Sequence, residues 1–384
     1  MSNHKQIRIS TAPISLDKLL SGQLGFMNQF YKVIGVSSDA SYLKRVGEKE
    51  NIDVQHIEMT RQITPMQDLK SVYELYRFFK KEKPLIVHTH TPKAGTVGML
   101  AAKLAGVPHR FHTIAGLPLM EAVGGKRKVL NLVEKMTYAC ATKIYPNSFG
   151  LKEIILKEQF CKPEKLKVIG NGSSNGIDTS YFDSSHFSEI QNKTLQQELT
   201  IPKDDFVFVF VGRLVGDKGI NELVEAFKML AKPNVKLLLV GPYEQELDPL
   251  LSQTLDQIKS NPNIVEVGFQ QDVRPYFAIA DALVFPSYRE GFPNVVMQAG
   301  AMGLPSIVTD INGCNEIIIE NENGLIIPVK NIAAIREAMY KMIEDQELLS
   351  HLKSNARKRI VKNYEQKVVW NAILQEYKNA EQHV

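Results

Sequence analysis

The sequence has little of what would make it disulfide-built or membrane-spanning. Its three cysteines, Cys140, Cys161 and Cys314, are widely scattered. They form no CxxC pair and no other metal-ligand spacing, so they read as reduced, mostly packed thiols. No apolar run reaches the roughly 18 residues that a bilayer-crossing helix needs. The opening stretch MSNHKQIRIS has no apolar core of the secretory kind. A soluble, cytoplasmic chain is the expectation. No repeat or low-complexity tract is visible. The basic residues are dispersed and lack an accompanying aromatic motif, so no nucleic-acid role is expected.

What is present is ordinary globular composition, with 384 residues, 44% of them apolar and 23% charged. That length exceeds one ordinary core and points to two domains. Charge is unevenly spread. Residues 1–180 carry 26 Lys and Arg against 15 Asp and Glu, whereas residues 181–384 carry 20 against 27. The basic half suits an anionic partner such as a phospholipid surface or a phosphorylated acceptor; chance asymmetry of solvated helix faces gives the same count.

Short apolar runs alternate with helix-period segments along the chain. In the first half the runs are Ile7–Ile9, Val33–Ser37, Leu85–His88, Arg110–Ile114, Lys143–Pro146 and Leu166–Ile169. In the second they are Phe206–Val211, Val235–Val240, Ile264–Val267, Ala282–Phe285, Ser306–Thr309 and Gly324–Pro328. Strand-like runs of this kind, separated by helices, predict parallel sheets covered on both faces. The pattern restarts at Phe206 after a polar stretch, Asp183–Pro202, that reads as a linker. The expected architecture is α/β, with two Rossmann-like doubly wound domains facing a cleft. One spans 1–182 and the other 203–365, and a C-terminal helix at about 366–384 packs back on the first. Ligands in such sheets sit at the carboxyl ends of strands.

Two constellations carry chemistry. In the first, the run Phe206–Val211 ends at Gly212, Arg213 follows, and Lys218 stands at the head of a helix. Arg offers a planar fork of donors and Lys a point charge, both near a helix N-terminus, which suits a diphosphate. An exposed basic turn with Asp217 pairing one cation fits the spacing equally. In the second, Phe285-Pro-Ser-Tyr-Arg-Glu-Gly-Phe-Pro-Asn-Val-Val-Met-Gln298, a strand runs into a loop where Gly291 permits close backbone approach. Asn294 is placed to cap a helix starting near Val295, whose free amides suit a second anionic group. Glu290 either receives sugar hydroxyls or forms an ion pair with Arg289 or a lysine.

Arg213 with Lys218, followed by Glu290-Gly-Phe-Pro-Asn-Val-Val296, resembles the retaining GT-B glycosyltransferases of family four. Asn175-Gly-Ile-Asp178, Gly241-Pro242, Asp272-Val-Arg-Pro-Tyr-Phe277 and Asn323-Gly-Leu325 extend the resemblance over nearly the whole chain. It implies that Arg213 and Lys218 neutralise the donor diphosphate without a metal or other cofactor, and that Glu290 contacts the transferred sugar. The strand end at Gly212 and the stretch Gly291, Phe292, Pro293, Asn294 and Val295 would complete the donor site. Gln298 stands where the family usually has a ribose-binding Glu, and an amide still accepts from ribose but brings no charge. Gly22 and Gly25, in Ser21-Gly-Gln-Leu-Gly25, match the family's glycine loop near the donor phosphates and the acceptor. His112 matches its strand-end histidine beside the donor sugar; alone, it reads as a satisfied core or cleft histidine. His90 and Lys93, in His88-Thr-His-Thr-Pro-Lys93, are expected to face the acceptor. Two histidines at that spacing also mimic half a metal site, but no third ligand is near in sequence.

Within the family the chain resembles enzymes of bacterial capsule and surface polysaccharide synthesis. The implied reaction moves an N-acetylhexosamine or related sugar from a UDP-sugar to a saccharide, free or linked to polyprenyl diphosphate. A UDP-sugar epimerase of the same architecture and a non-catalytic nucleotide-sugar-binding subunit are the rivals. In Gly125–Tyr138, apolar Val129, Leu132, Val133 and Met136 recur at helical spacing, which predicts burial on the sheet. Lys126, Arg127 and Lys128 at its head point instead to peripheral contact with an anionic membrane face.

Overall fold

The computed structural model describes residues 4–62, 64–244, 246 and 248–382. They divide into two compact units, residues 1–176 with 366–384 and residues 177–365, so the expected limits at 1 and 384 lie outside the described residues. Each unit is organised by one parallel six-stranded sheet among these residues.

In the first unit the strands are β1 (Lys5–Ile9), β2 (Lys32–Ser37), β3 (Asp53–His56), β4 (Ile86–Thr89), β5 (His109–Ile114) and β6 (Lys143–Pro146). Their helices are α1 (Gln23–Asn28), α2 (Ala40–Glu50), α3 (Pro65–Glu82), α4 (Pro92–Ala105), α5 (Gly124–Cys140) and α6 (Phe149–Lys157). The sheet order β3-β2-β1-β4-β5-β6 reverses direction between β1 and β4. Right-handed crossovers then place α3, α4 and α5 side by side on one face. Helix starts are fixed locally: Asp39 accepts from Tyr42 N at 3.1 Å and Ser148 from Leu151 N at 3.1 Å.

The second unit repeats the plan with β7 (Phe206–Val211), β8 (Val235–Val240), β9 (Ile264–Gly268), β10 (Ala282–Phe285), β11 (Ser306–Thr309) and β12 (Gly324–Ile327), ordered β12-β11-β10-β7-β8-β9. Its helices are α7 (Glu189–Glu198), α8 (Ile220–Leu230), α9 (Ser252–Ser260), α10 (Arg274–Ala278), α11 (Asn294–Ala301), α12 (Cys314–Ile317), α13 (Ile332–Glu344) and α14 (Gln346–Tyr364). Phe208 and Phe210 of β7 are fully buried, each contributing roughly 1.5–3 kcal/mol of apolar burial. The direction change falls between β7 and β10, so the turns after these two strands share one sheet edge.

The stretch expected to be a linker is part of the second unit. Its Ile201, and Ile177 and Phe182 just before it, are buried in that unit's core, and the Ser188–Gln191 capping box starts α7. Arg357 of α14 ties this segment down, donating to the carbonyls of Thr179 and Phe182 at 2.9 and 2.8 Å and pairing with Asp183 at 2.6 Å. Polarity along the stretch disguised the buried Ile201 and the partly buried Phe187, Leu195 and Leu199 packed against the same core. The last helix, α15 (Gln366–Glu381), belongs to the first unit, where Val369, Ile373, Leu374 and Tyr377 are buried against α1 and β2.

Candidate active site

Gly219 closes the β7–α8 turn with φ +70°, and a Cβ there would lie 2.2 Å from the Pro286 carbonyl oxygen. Only glycine allows that approach, which presses the turn after β7 against the turn after β10. The contact brings Lys218 to Glu290: the ammonium donates to the carboxylate, and both side chains are mostly buried. Ser287 Oγ donates to the same carboxylate at 3.1 Å. Arg213 pairs with Glu244, on the turn after β8, and is nearly half exposed. Asp217 takes neither of these cations and pairs with Arg289 at 2.9 Å. Of the ion pairs the sequence allows, Glu290 thus takes a lysine, and Asp217 pairs with neither Arg213 nor Lys218.

The Glu290 loop is held from behind by the turn after β11. Thr309 Oγ1 donates to the Ser287 carbonyl, and Asn312 Nδ2 to the carbonyls of Glu290 and Gly291, the latter at 3.2 Å. Asp248 accepts from Asp217 N at 2.6 Å and fixes the other turn. Neither Asn312 nor Asp248 was expected; the turn dipeptide Asn312-Gly313 was the only signal. Helix α11 starts at Asn294 without a side-chain cap. The expected cap by Asn294 does not form, because Pro293 holds the N-cap position and Asn294 is already helical. No cap side chain therefore takes the amides of this first turn, as an anion site requires, although Val296 N donates to the Pro293 carbonyl at 3.2 Å. Phe292 is buried, with its ring 5.5 Å from that of Tyr364. Gln298 lies one turn into α11, half-buried.

In the first unit, a charged cluster lies at the carboxyl ends of β1 and β4. Arg8 is fully buried; its Nε donates to His90 Nε2 at 2.9 Å, its Nη1 to the Tyr377 hydroxyl at 2.9 Å, and its Nη2 to Gln23. The Tyr377 hydroxyl also lies 2.5 Å from His88 Nδ1, and His88 Nε2 lies 2.7 Å from Thr113 Oγ1. Burial, reinforced by neighbouring positive charge, holds His88 and His90 well below the ordinary histidine range. Both nitrogens of His88 and the Nε2 of His90 are thus engaged with protein groups. Among the described residues no cluster of three His, Cys, Asp or Glu has metal-ligand geometry.

His112 is buried at the end of β5, with Nδ1 2.8 Å from Thr89 Oγ1. Burial lowers its pKa to about 4, so its ring is neutral at pH 7. The α4 backbone lies against it: a Cβ on Gly95 would come within 2.4 Å of His112 Cε1. Lys93 pairs with Asp68 at 2.5 Å rather than reaching outward. The amides of Gly22 and Gly25 donate to the buried Glu50 carboxylate at 2.8 and 3.0 Å. These two donors, expected to serve the donor phosphates, are occupied by the protein itself, and Glu50 is a residue sequence reasoning missed.

Residues 31–172 match the Glycosyl transferase 4-like domain, and residues 191–359 match Glycosyl transferases group 1. A capsular polysaccharide biosynthesis glycosyltransferase, CapM of Staphylococcus aureus, is 36% identical over 378 residues, covering 97% of this chain and 96% of the relative. The chain belongs to the group 1 glycosyltransferases. An Escherichia coli enzyme named as a UDP-Gal:alpha-D-GlcNAc-diphosphoundecaprenol alpha-1,3-galactosyltransferase is 32% identical, covering 80% of this glycosyltransferase and 78% of that one. A crystal structure of Anabaena Alr3699/HepE in complex with UDP superposes with a TM-score of 0.80 at 18% identity, covering 98% of this chain and 100% of the other, and shows the shared GT-B fold. Among the described residues, no helix of this glycosyltransferase is long and apolar enough to cross a membrane.

Proposed function

We propose that this glycosyltransferase moves a sugar, an N-acetylhexosamine or a related one, from a UDP-sugar to a saccharide carried on polyprenyl diphosphate, in surface polysaccharide synthesis. The observation that carries the reading is the pair of cations on the β7–α8 turn, Arg213 and Lys218, each held by a carboxylate, on the same sheet edge as the uncapped start of α11. Charge builds on the leaving diphosphate as the donor bond breaks, and preorganised donors stabilise it; losing one such donor typically costs about 10²–10³ in rate. Glu290 then exchanges Lys218 for a sugar hydroxyl. Retention of configuration and independence of metal complete the proposal, by family likeness and because two cations supply the charge a metal would bring. The names of the S. aureus and E. coli relatives support the acceptor class and the pathway. The basic surplus of residues 1–180 suits an acceptor diphosphate and a peripheral place on an anionic membrane face.

The test is thermal stabilisation by UDP, GDP, ADP and UDP-sugars, with and without EDTA, in the wild type and Lys218→Ala. Stabilisation by uridine nucleotides alone, unchanged by EDTA and lost in the variant, is the expected result. No shift with any nucleotide overturns the reading. UDP release that depends on acceptor separates a transferase from an epimerase or a binding subunit.

A further inference from the structure

Helix α5 does not bury its apolar stripe. Val129, Leu132 and Met136, one face at helical spacing, are 50%, 68% and 41% exposed, and Val123 just before the helix is 84% exposed. The side turned to the protein is instead Thr137, Tyr138 and Cys140. At 100° per residue, Lys128 and Lys135 lie along one edge of the exposed stripe and Lys126 along the other, all exposed. Arg127 turns inward, donating to the Leu119 carbonyl at 2.6 Å and pairing with Glu158 at 2.8 Å. The helix's one acid, Glu134, is also drawn in, and burial pushes its carboxyl up. The outward face is therefore apolar along its centre, cationic along both edges and without an exposed carboxylate.

We infer that this face is a membrane-docking element whose apolar centre enters the headgroup and acyl boundary while the three lysines meet anionic lipid. A second copy of the chain is a poor occupant, since two-fold self-pairing would oppose lysine to lysine. A lipid surface matches both the charge and the apolar centre. The placement has a consequence for the reaction, and in this respect the inference rests on the proposed lipid-linked acceptor. Helix α5 begins beyond the carboxyl end of β5, the strand that carries His112, so docking by its first turns sets that sheet edge toward the bilayer. On the same face of the sheet, Met66, Leu69 and Tyr73 form a second exposed stripe in the first turns of α3.

Cosedimentation with vesicles of phosphatidylcholine, with and without phosphatidylglycerol, tests the inference on the full chain. Wild type is expected to pellet with the anionic vesicles, and Leu132→Glu with Met136→Glu to lower the partition coefficient by at least about tenfold. Both positions are exposed, so folding is preserved. A Leu132→Trp variant adds one indole to a chain whose only other is Trp370, and its emission is expected to shift to the blue and to be quenched by brominated lipid. Wild-type partitioning that ignores phosphatidylglycerol, an unaltered Leu132→Glu/Met136→Glu variant, or an unshifted emission overturns the docking element. So does a concentration-dependent dimer abolished by the same substitutions, which assigns the face to a second copy. Turnover on a short-chain, water-soluble diphosphate saccharide separates the two readings. The docking variant is expected to keep that activity; its absence in wild type refutes the proposed reaction while the vesicle result still decides docking.

Discussion

Lys218 donates to Glu290, 72 positions further along the chain, and Ser287 completes the carboxylate's shell at 3.1 Å. Without donor, each partner keeps the other in place in a largely desolvated site. In the proposed reaction a diphosphate at Lys218 would compete with Glu290 for the ammonium and so release a carboxylate for the sugar.

Lys218→Ala is expected to weaken UDP binding and lower turnover by about 10²–10³. Glu290→Gln keeps the Ser287 hydrogen bond and is expected to lower kcat by a comparable factor while leaving UDP affinity unchanged or improved, since Lys218 is freed. Calorimetric titration with UDP and separate kcat and KM values check the pair. Equal loss of UDP affinity in both variants contradicts the division of roles.

Gly219→Ala is expected to destabilise the second unit by more than the roughly 1–2 kcal/mol of a left-handed backbone alone. The added Cβ would meet the Pro286 carbonyl oxygen at 2.2 Å. Gly268→Ala is the control, with φ +63° but nothing within 4 Å of its Cβ. Urea unfolding of the two variants should differ, with UDP binding lost only at Gly219.

His112 titrates at about 4 in the folded protein, below the ordinary 6.5. The unfolded chain therefore takes up the proton first as pH falls, and the stabilising neutral state is intact above 6.5 and lost on the way down to about 4. The shift corresponds to about 3 kcal/mol. His88 and His90, lowered in the same direction, add to the loss. Urea midpoints measured from pH 7.5 to 4.5 should fall, and His112→Gln should flatten part of that slope. Turnover should show no inflection near 6.5 that disappears with His112→Gln.

Gln298→Glu is expected to tighten UDP binding several-fold by giving ribose hydroxyls a charged acceptor. The transfer step itself should be unaffected. Weaker binding by calorimetry would show that Gln298 does not face the ribose.

Most of the fold was legible because buried parallel strands are written as continuous apolar runs. Phe206–Val211 and Val235–Val240 have the bounds their sequence predicts. The strand Asp53–His56 was not, since it is largely exposed and carries one apolar residue, Val54. Leu166–Ile169 reads as a strand, yet only Leu166 bridges to Ile144 before the chain turns away. The stripe of α5 was legible as a stripe and misplaced as core.

By itself the sequence determined two doubly wound units, and it put Arg213 and Lys218 together on one strand-to-helix turn, because strand period, glycine position and charge are local properties. Tertiary structure alone decided that Glu290 takes Lys218 and Asp217 takes Arg289, that Glu50 occupies the amides of Gly22 and Gly25, and that Leu132 faces outward. The physical reason is common to all of these. Periodicity and spacing fix which residues share a face or a turn, but the partner that covers the face or satisfies the charge comes from another element, and only packing chooses it.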